Sequence, residues 1–326
     1  MTGLEIVAAT LDWQKPERVA RTFWDSDIEG CWYDVKTHDT PWALKGNEWY
    51  RTDTWGNIWK RIDDSSKGEV VKGILDDIDE IYSYQFPDFS NPKDYMAVKE
   101  NRCKYQDKWL VGYLPGFTFK IASELFKLDN YLVNLLLEPE KIHDLHDGID
   151  KVLEVIIKNY ATAGVNSVFF WEDWGTQHQL LISPELWRRE FYLRFKKLCN
   201  IAHECGIRVF MHSCGKISAI VPELIKAGID VLQFDQPMLH GIEQLAHYQA
   251  ENKITFWCPV DIQRTLQSGD EQTIRDGAKQ MLDKLWKGRG GFIAGFYSDN
   301  ASIGLDPEWQ EFACDEFVRQ GRQGVY

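Results

Sequence analysis

The residues whose spacing most specifically suggests chemistry are His212 and Cys214, which follow the apolar run 207–211. Side chains two residues apart at the end of an extended strand point to the same side. An imidazole nitrogen and a thiolate placed in this way could bind one zinc ion, because zinc favours nitrogen and sulfur ligands. The same residues also fit a helix-capping Ser213 beside a buried cysteine.

Three later apolar runs also lead into side chains that can take part in chemistry. Asp235 could bind the metal, orient His212 or cap a helix. Cys258 could supply a thiolate ligand or be a small buried residue. Tyr297 could donate a hydrogen bond to a substrate oxygen or form a wall of the site.

Candidate acid–base residues follow the run 167–171. Glu172 and Asp173 are adjacent carboxylates, and Gln177 and His178 come shortly after them. One carboxylate can raise the pKa of its neighbour, which suits general acid–base catalysis. The alternative is a solvated acidic loop.

All of these residues stand at the ends of runs that are typical of buried strands. From Trp109 onward, short runs of β-branched and aromatic residues alternate with stretches of helical periodicity. This order indicates a parallel sheet. The runs are residues 109–114, 167–171, 207–211, 230–234, 254–257 and 291–296.

Six strands are visible in this part of the chain, so the N-terminal part must supply the others if the sheet closes. An open doubly wound sheet fits the same order, but no GxGxxG motif follows a strand. We therefore predict an α/β protein with a (β/α)8 TIM barrel. In such a barrel, catalytic side chains lie at the C-terminal ends of the strands.

The N-terminal third has a different texture. Residues 25–108 are polar, aromatic and rich in turn-forming residues, with weak helical periodicity. We predict an irregular N-terminal lid or insertion here and regular βα units over 109–326. Together they would form a single domain of residues 1–326.

Composition excludes several classes of function. The formal charge of −13 disfavours binding to nucleic acid or to an anionic membrane surface. The seven cysteines form no CxxC pair, which fits reduced thiols in the cytoplasm. The N-terminus lacks an apolar signal segment, and no uncharged run is long enough to cross a membrane.

Several motifs together resemble the uroporphyrinogen decarboxylase superfamily. The resemblance covers nearly the whole chain and implies a TIM barrel with a deep cleft at its C-terminal face. The motifs are ISPELW at 182–187, HSCG at 212–215, GIDVL at 228–232, CPVD at 258–261, GGFIA at 290–294 and DWQKPER at 12–18.

This superfamily contains metal-free decarboxylases and zinc-dependent methyltransferases that work with corrinoid proteins. The decarboxylases carry an arginine-rich signature that binds substrate carboxylates, and the matching stretch 18–24 lacks it. The resemblance therefore favours the methyltransferase branch. It implies that a His-x-Cys pair and a later cysteine bind zinc, and Tyr297 stands where that cysteine belongs.

The resulting prediction is a zinc-dependent methyltransferase that moves a methyl group between a small, for example methoxylated aromatic, substrate and a corrinoid protein or a thiol. The predicted zinc ligands are His212, Cys214, Asp235 and Cys258. The predicted catalytic residues are Glu172, Asp173, His178 and Tyr297. The predicted substrate-binding residues are Trp171, Trp174, Gln177, Trp257 and Phe296.

Two other functions also fit the sequence. The first is a decarboxylase that acts on a porphyrinogen or a smaller carboxylate, for which Asp53 would supply the carboxylate in the cleft. The second is a non-catalytic barrel that only binds a ligand.

Overall fold

The computed structural model describes residues 1–35, 37–63 and 66–324. Eight strands form a nearly closed barrel. They are β1 (Ala20–Arg21), β2 (Ile28–Cys31), β7 (Trp109–Tyr113), β8 (Ser167–Trp171), β9 (Arg208–His212), β10 (Val231–Gln233), β11 (Thr255–Cys258) and β12 (Phe292–Ala294). Their order around the barrel is β1-β12-β11-β10-β9-β8-β7-β2, and each neighbouring pair is parallel. The predicted TIM-barrel fold is confirmed.

From β7 onward, helices alternate with the barrel strands and cover their outer face. The longest, α5, begins at Pro139 and ends at Ala163, and the following Gly164 has the left-handed backbone that suits glycine. The helices are α1 (Gly3–Leu11), α2 (Met96–Lys104), α3 (Thr118–Phe126), α4 (Leu128–Leu137), α5 (Pro139–Ala163), α6 (Pro184–Glu190), α7 (Tyr192–Glu204), α8 (Val221–Ala227), α9 (Ile242–Asn252), α10 (Glu271–Met281) and α11 (Pro307–Gln320). None of the helices in the described ranges has the length and apolar character that a membrane span requires.

The two faces of each barrel strand have different neighbours. Val111, Phe169 and Phe210 fill the barrel interior, and Ile6 of α1 packs against the same cluster. Residues one position further along, such as Phe170, pack with the outer helices. Because strand side chains alternate between faces, a shift of one residue moves a side chain from the interior to the helix layer.

The N-terminal insertion is more regular than the sequence indicates. It contains barrel strand β2, helix α2 and a four-stranded antiparallel sheet, which we call the cap sheet. The cap sheet consists of β3 (Ala43–Lys45), β4 (Glu48–Thr52), β5 (Ile58–Arg61) and β6 (Glu69–Lys72).

Antiparallel strand pairing forms the cap sheet, and arginine and tryptophan side chains stack on it. The Arg51 guanidinium lies 5.1 Å from the Trp42 ring and 5.2 Å from the Trp59 ring. Planar guanidinium groups stack well on indole rings. The paired residues are not spaced at i, i+3, so helical periodicity in the sequence does not reveal them. A cleft of about 780 Å3 separates the cap sheet from the strand ends of the barrel, where Trp32 and Trp171 line it.

Candidate metal centre

Three side chains with metal-binding atoms meet at the C-terminal ends of β8 and β9. Nε2 of His212 lies 3.1 Å from Sγ of Cys214 and 3.6 Å from Oδ1 of Asp173. One ligand atom from each residue lies within 4.8 Å of the others. Asp173 also accepts a hydrogen bond of 2.7 Å from the Cys214 backbone N–H, which fixes the two loops relative to each other.

The loops that carry Asp173 and Cys214 approach each other backbone to backbone. A Cβ on Gly215, where φ is +74°, would lie 2.2 Å from the Gly175 carbonyl oxygen. A Cβ on Gly175 would lie 2.6 Å from the Lys216 nitrogen. Only glycine tolerates both the left-handed backbone and this close approach. We call this contact the glycine junction.

Gln233 determines which nitrogen of His212 faces the thiol. Its amide Nε2 donates a 2.7 Å hydrogen bond to Oδ1 of Asp235, so its Oε1 is turned toward Nδ1 of His212. Because a carbonyl oxygen can only accept, Nδ1 carries the proton and Nε2 keeps its lone pair. An imidazole in this tautomer is ready to bind a metal through Nε2.

Gln233 was not among the residues predicted from the sequence, although it is a polar residue close to the end of the run 230–234. It lies in register with His212 on the neighbouring strand. Asp235, predicted as a metal ligand, holds Gln233 and lies outside the group formed by Asp173, His212 and Cys214.

We expect Gln233→Leu to weaken zinc binding by about 10- to 100-fold, because His212 loses the acceptor that fixes its tautomer. The measurement is competition with a zinc chelator of known affinity. Gln236→Leu is the matched control, since Gln236 lies nearby but is bonded to Gln177 rather than His212. Equal losses in both variants would contradict the role of Gln233.

Cys258 lies on the other face of its strand. Trp257 packs against the barrel interior, whereas the adjacent Cys258 is fully buried in the helix-facing core. The alternation of strand side chains therefore separates Cys258 from His212. The sulfur nearest His212 is that of Cys214, and desolvation and the carboxylate of Asp173 raise the pKa of that thiol. A bound cation would reverse this effect and favour the thiolate.

Glu172, predicted as a catalytic residue, is completely buried. Its carboxylate accepts hydrogen bonds of 2.7 Å from the Phe117 N–H and 3.0 Å from the Phe119 N–H at the start of α3. Complete burial raises its pKa to about 8, and the two N–H donors oppose this shift. The structure thus places Glu172 where it anchors a helix rather than where it would face the metal-binding atoms.

This shift predicts a pH-dependent stability. The folded-state pKa lies above the unfolded value, so the folded state binds more protons between about pH 4.5 and 8 and loses stability as pH rises through that window. We expect the loss from Glu172 to be about 3–5 kcal/mol. Glu172→Gln should lower the free energy of unfolding at pH 5, and it should reduce the decrease of that free energy between pH 5 and pH 8.

The measurement is urea unfolding of zinc-free protein at pH 5 and pH 8. Glu185→Gln is the matched control, because Glu185 is largely exposed on α6. If the free energy of unfolding falls equally steeply with pH in wild type and in Glu172→Gln, the Glu172 carboxyl group is ionised in the folded protein from pH 5 to pH 8.

The predicted substrate-binding residues fall into two groups. Trp171 lies in register with His212, and Trp257 lies in register with Gln233, so both tryptophans face the barrel interior on the same side of the sheet as these residues. Trp174, in contrast, is fully buried in the outer core. Phe296 also packs against that core.

The remaining predicted residues lie around the site. Gln177 and His178 are exposed on a loop, and His178 lines a surface cleft apart from Cys214. Tyr297 lines a cavity of about 140 Å3 together with Cys214 and Asp235. Asp53 is occupied by backbone and side-chain donors of its own turn, including a 2.6 Å hydrogen bond from the Trp59 indole.

Comparisons with known proteins agree with this architecture. A curated relative, the methylated-thiol–coenzyme M methyltransferase of Methanosarcina mazei, is 22% identical in sequence to this chain over 233 residues. The matched region covers 71% of this chain and 49% of the relative. The chain thus spans about half the length of that relative. A solved methyltransferase structure from Methanosarcina mazei superposes with a TM-score of 0.62 at 14% identity, covering 96% of this chain and 83% of the other.

The likeness to the solved structure concerns the fold. The family assignment comes from the sequence, because the model of the uroporphyrinogen decarboxylase (URO-D) family matches residues 72–298. The match extends from the last strand of the cap sheet to the loop after β12 and includes Asp173, His212 and Cys214. The chain therefore belongs to the uroporphyrinogen decarboxylase family.

Proposed function

We propose that the chain is a zinc-dependent methyltransferase that moves a methyl group between a small methylated compound and an acceptor. The acceptor would be a thiol or a corrinoid carried by a separate protein. The observation that carries the proposal is the convergence of Nε2 of His212, Sγ of Cys214 and a carboxylate oxygen of Asp173 within 4.8 Å. The names of the two methyltransferases from Methanosarcina mazei support the type of reaction.

The donor set fits zinc by its chemistry. One imidazole nitrogen, one sulfur and one carboxylate oxygen are ligands that zinc takes in catalytic sites, which leave a position for substrate. The proposed ligands are thus His212, Cys214 and Asp173, with Asp235 acting through Gln233. Zinc bound there would act as a Lewis acid on the heteroatom that carries the methyl group, or hold a thiol acceptor as its thiolate.

The protein side chains have separate tasks in this proposal. Gln233 keeps the lone pair of His212 directed at the site, and Asp173 holds the Cys214 backbone. Tyr297 borders the cavity beside Cys214, where its hydroxyl could donate a proton to a departing heteroatom. Trp171 and Trp257 face the barrel interior beside His212 and Gln233 on the neighbouring strands, where they would offer apolar surface to a bound substrate.

The test combines metal analysis with a methyl-transfer assay. We expect about one zinc per chain, and transfer of methyl from methylcobalamin to 2-mercaptoethanesulfonate, followed by the absorbance change of the corrinoid. A chelator should remove activity, and added zinc should restore it. A protein that is fully active without metal would refute the proposal.

A further inference from the structure

The cleft between the cap sheet and the barrel has indole rings on both sides. Its volume of about 780 Å3 is that of a site for a small organic ligand. Trp59 lines it on the cap side, and Trp32 and Trp171 line it on the barrel side. Trp171 ends β8 and lies in register with His212, so one wall of the cleft belongs to the strand pair that carries a proposed metal ligand.

The two barrel-side rings, Trp32 and Trp171, form a surface that we call the aromatic platform. Their rings are nearly parallel, with an angle of 11° and 6.1 Å between the ring centres. Tyr113 packs against both, with its ring centre 5.2 Å from each. Although it is packed in this way, Trp32 remains 49% exposed, so the platform has ring surface to offer to a ligand.

Protein cations already cover the indole on the cap side. The Arg51 guanidinium lies 5.2 Å from the centre of the Trp59 ring, and the Lys120 ammonium lies 5.7 Å from it. Lys120 is also paired with Glu124. Over the aromatic platform, in contrast, there is no lysine or arginine among the residues that the structure describes. Its electron-rich ring faces are therefore available to a cation from solution.

The charge around the cleft also favours a cationic ligand. The described lining residues include four carboxylates but only two cations. The carboxylates are those of Asp34, Asp39, Asp53 and Glu124. An excess of negative charge between low-dielectric walls raises the local concentration of cations and lowers that of anions.

We propose that the aromatic platform binds a methylated ammonium group, and that the methyl donor of this protein is a small organic cation of this class. A quaternary ammonium has no N–H group that needs a polar partner, and it is recognised by contact with aromatic ring faces. The donor role rests on the proposed function and narrows its substrate class.

A methylated ammonium ion also suits methyl transfer to a thiol. Attack of the acceptor thiolate on one methyl carbon forms the S–CH3 bond and breaks the C–N bond, whose electron pair stays on nitrogen. The products are a thioether and an uncharged tertiary amine, so the leaving group needs no proton. Because opposite charges cancel in this step, apolar walls favour it relative to water.

The test compares choline with 3,3-dimethylbutanol, in which a carbon atom replaces the charged nitrogen. Isothermal titration calorimetry should show that wild-type protein binds choline at least about 10-fold more tightly, both with zinc and without it. Since the two molecules share one shape and the uncharged alcohol is the more apolar, this preference can arise only from the positive charge. A third probe, para-methoxybenzoate, carries the methoxylated ring suggested by the sequence and a negative charge, and it should bind more weakly than choline.

Removal of the Trp32 ring should reduce the preference for choline. We expect Trp32→Leu to weaken choline binding by about 10-fold and Trp32→Phe by less than about 3-fold, because phenylalanine keeps an aromatic face. Binding of the uncharged alcohol should change by less than about 3-fold in both variants. Trp24→Leu is the matched control, because Trp24 is 56% exposed and donates its hydrogen bond to Glu311 of α11. Its choline affinity should equal that of wild type.

The outcomes separate the inference from the proposed function. Equal affinities for choline and the uncharged alcohol, tighter binding of para-methoxybenzoate, or a preference for choline that Trp32→Leu leaves unchanged would overturn the inference. A preference for choline in a protein that transfers no methyl group would support the binding site and refute the proposed function. Methyl transfer from methylcobalamin in a protein without that preference would refute the inference alone.

Discussion

Cys214→Ser is expected to weaken zinc binding by more than about 100-fold and to reduce methyl transfer in parallel. Loss of a supporting residue around a metal ligand already costs 10- to 100-fold, and a serine hydroxyl is a far poorer zinc ligand than a thiolate. His212→Ala should have an effect of the same size. Chelator competition and the metal content of the purified variants measure both effects.

The cysteines of this chain provide matched controls for that experiment. Cys205 is exposed at the end of α7, and Cys258 is buried in the helix-facing core. We expect Cys205→Ser and Cys258→Ser to bind zinc as wild type does. If Cys258→Ser lost zinc while Cys214→Ser kept it, the ligand set proposed here would be wrong.

Trp174→Ala is expected to reduce the free energy of unfolding by about 3–5 kcal/mol. The indole is fully buried, and its ring centre lies 4.0 Å from that of Phe119 and 4.8 Å from that of Phe191. Its removal would leave a cavity that these rigid neighbours cannot fill. Urea unfolding of the zinc-free variant measures the loss.

Trp24→Ala is the matched control for that loss, because Trp24 is 56% exposed. Its effect on stability should be within about 1 kcal/mol. Comparison of Trp174→Ala with Trp24→Ala also tests whether Trp174 binds substrate or supports the core. A change in KM with unchanged stability would show that Trp174 binds substrate, as the sequence suggests, rather than supporting the core.

The barrel was predictable because its signal is repeated. The six apolar runs of the sequence correspond to β7–β12, and the strand ends named from them include the three residues of the metal-binding group. Strands β1 and β2 were not predicted because their sequences, Ala-Arg and Ile-Glu-Gly-Cys, contain no continuous apolar run.

Strand alternation would have sharpened the prediction of the site. Trp257 and Cys258 are adjacent on β11, so they cannot both face the interior, and the same holds for the outward-facing Glu172 beside Trp171. Strand register determines that Trp171, His212 and Gln233 face the same side of the sheet, and the sequence does not reveal this register. The cap sheet was not predicted because its strands carry stacked arginine and tryptophan side chains in place of an alternating apolar pattern.

The glycine junction has a consequence for any attempt to redesign this centre. Gly175 and Gly215 each leave room for the backbone of the other loop. The loops that carry Asp173 and Cys214 are therefore packed against each other as one rigid unit. Grafting either segment alone from another barrel would push the two donors apart. Donor exchange should succeed only when both segments are transplanted together with their paired glycines.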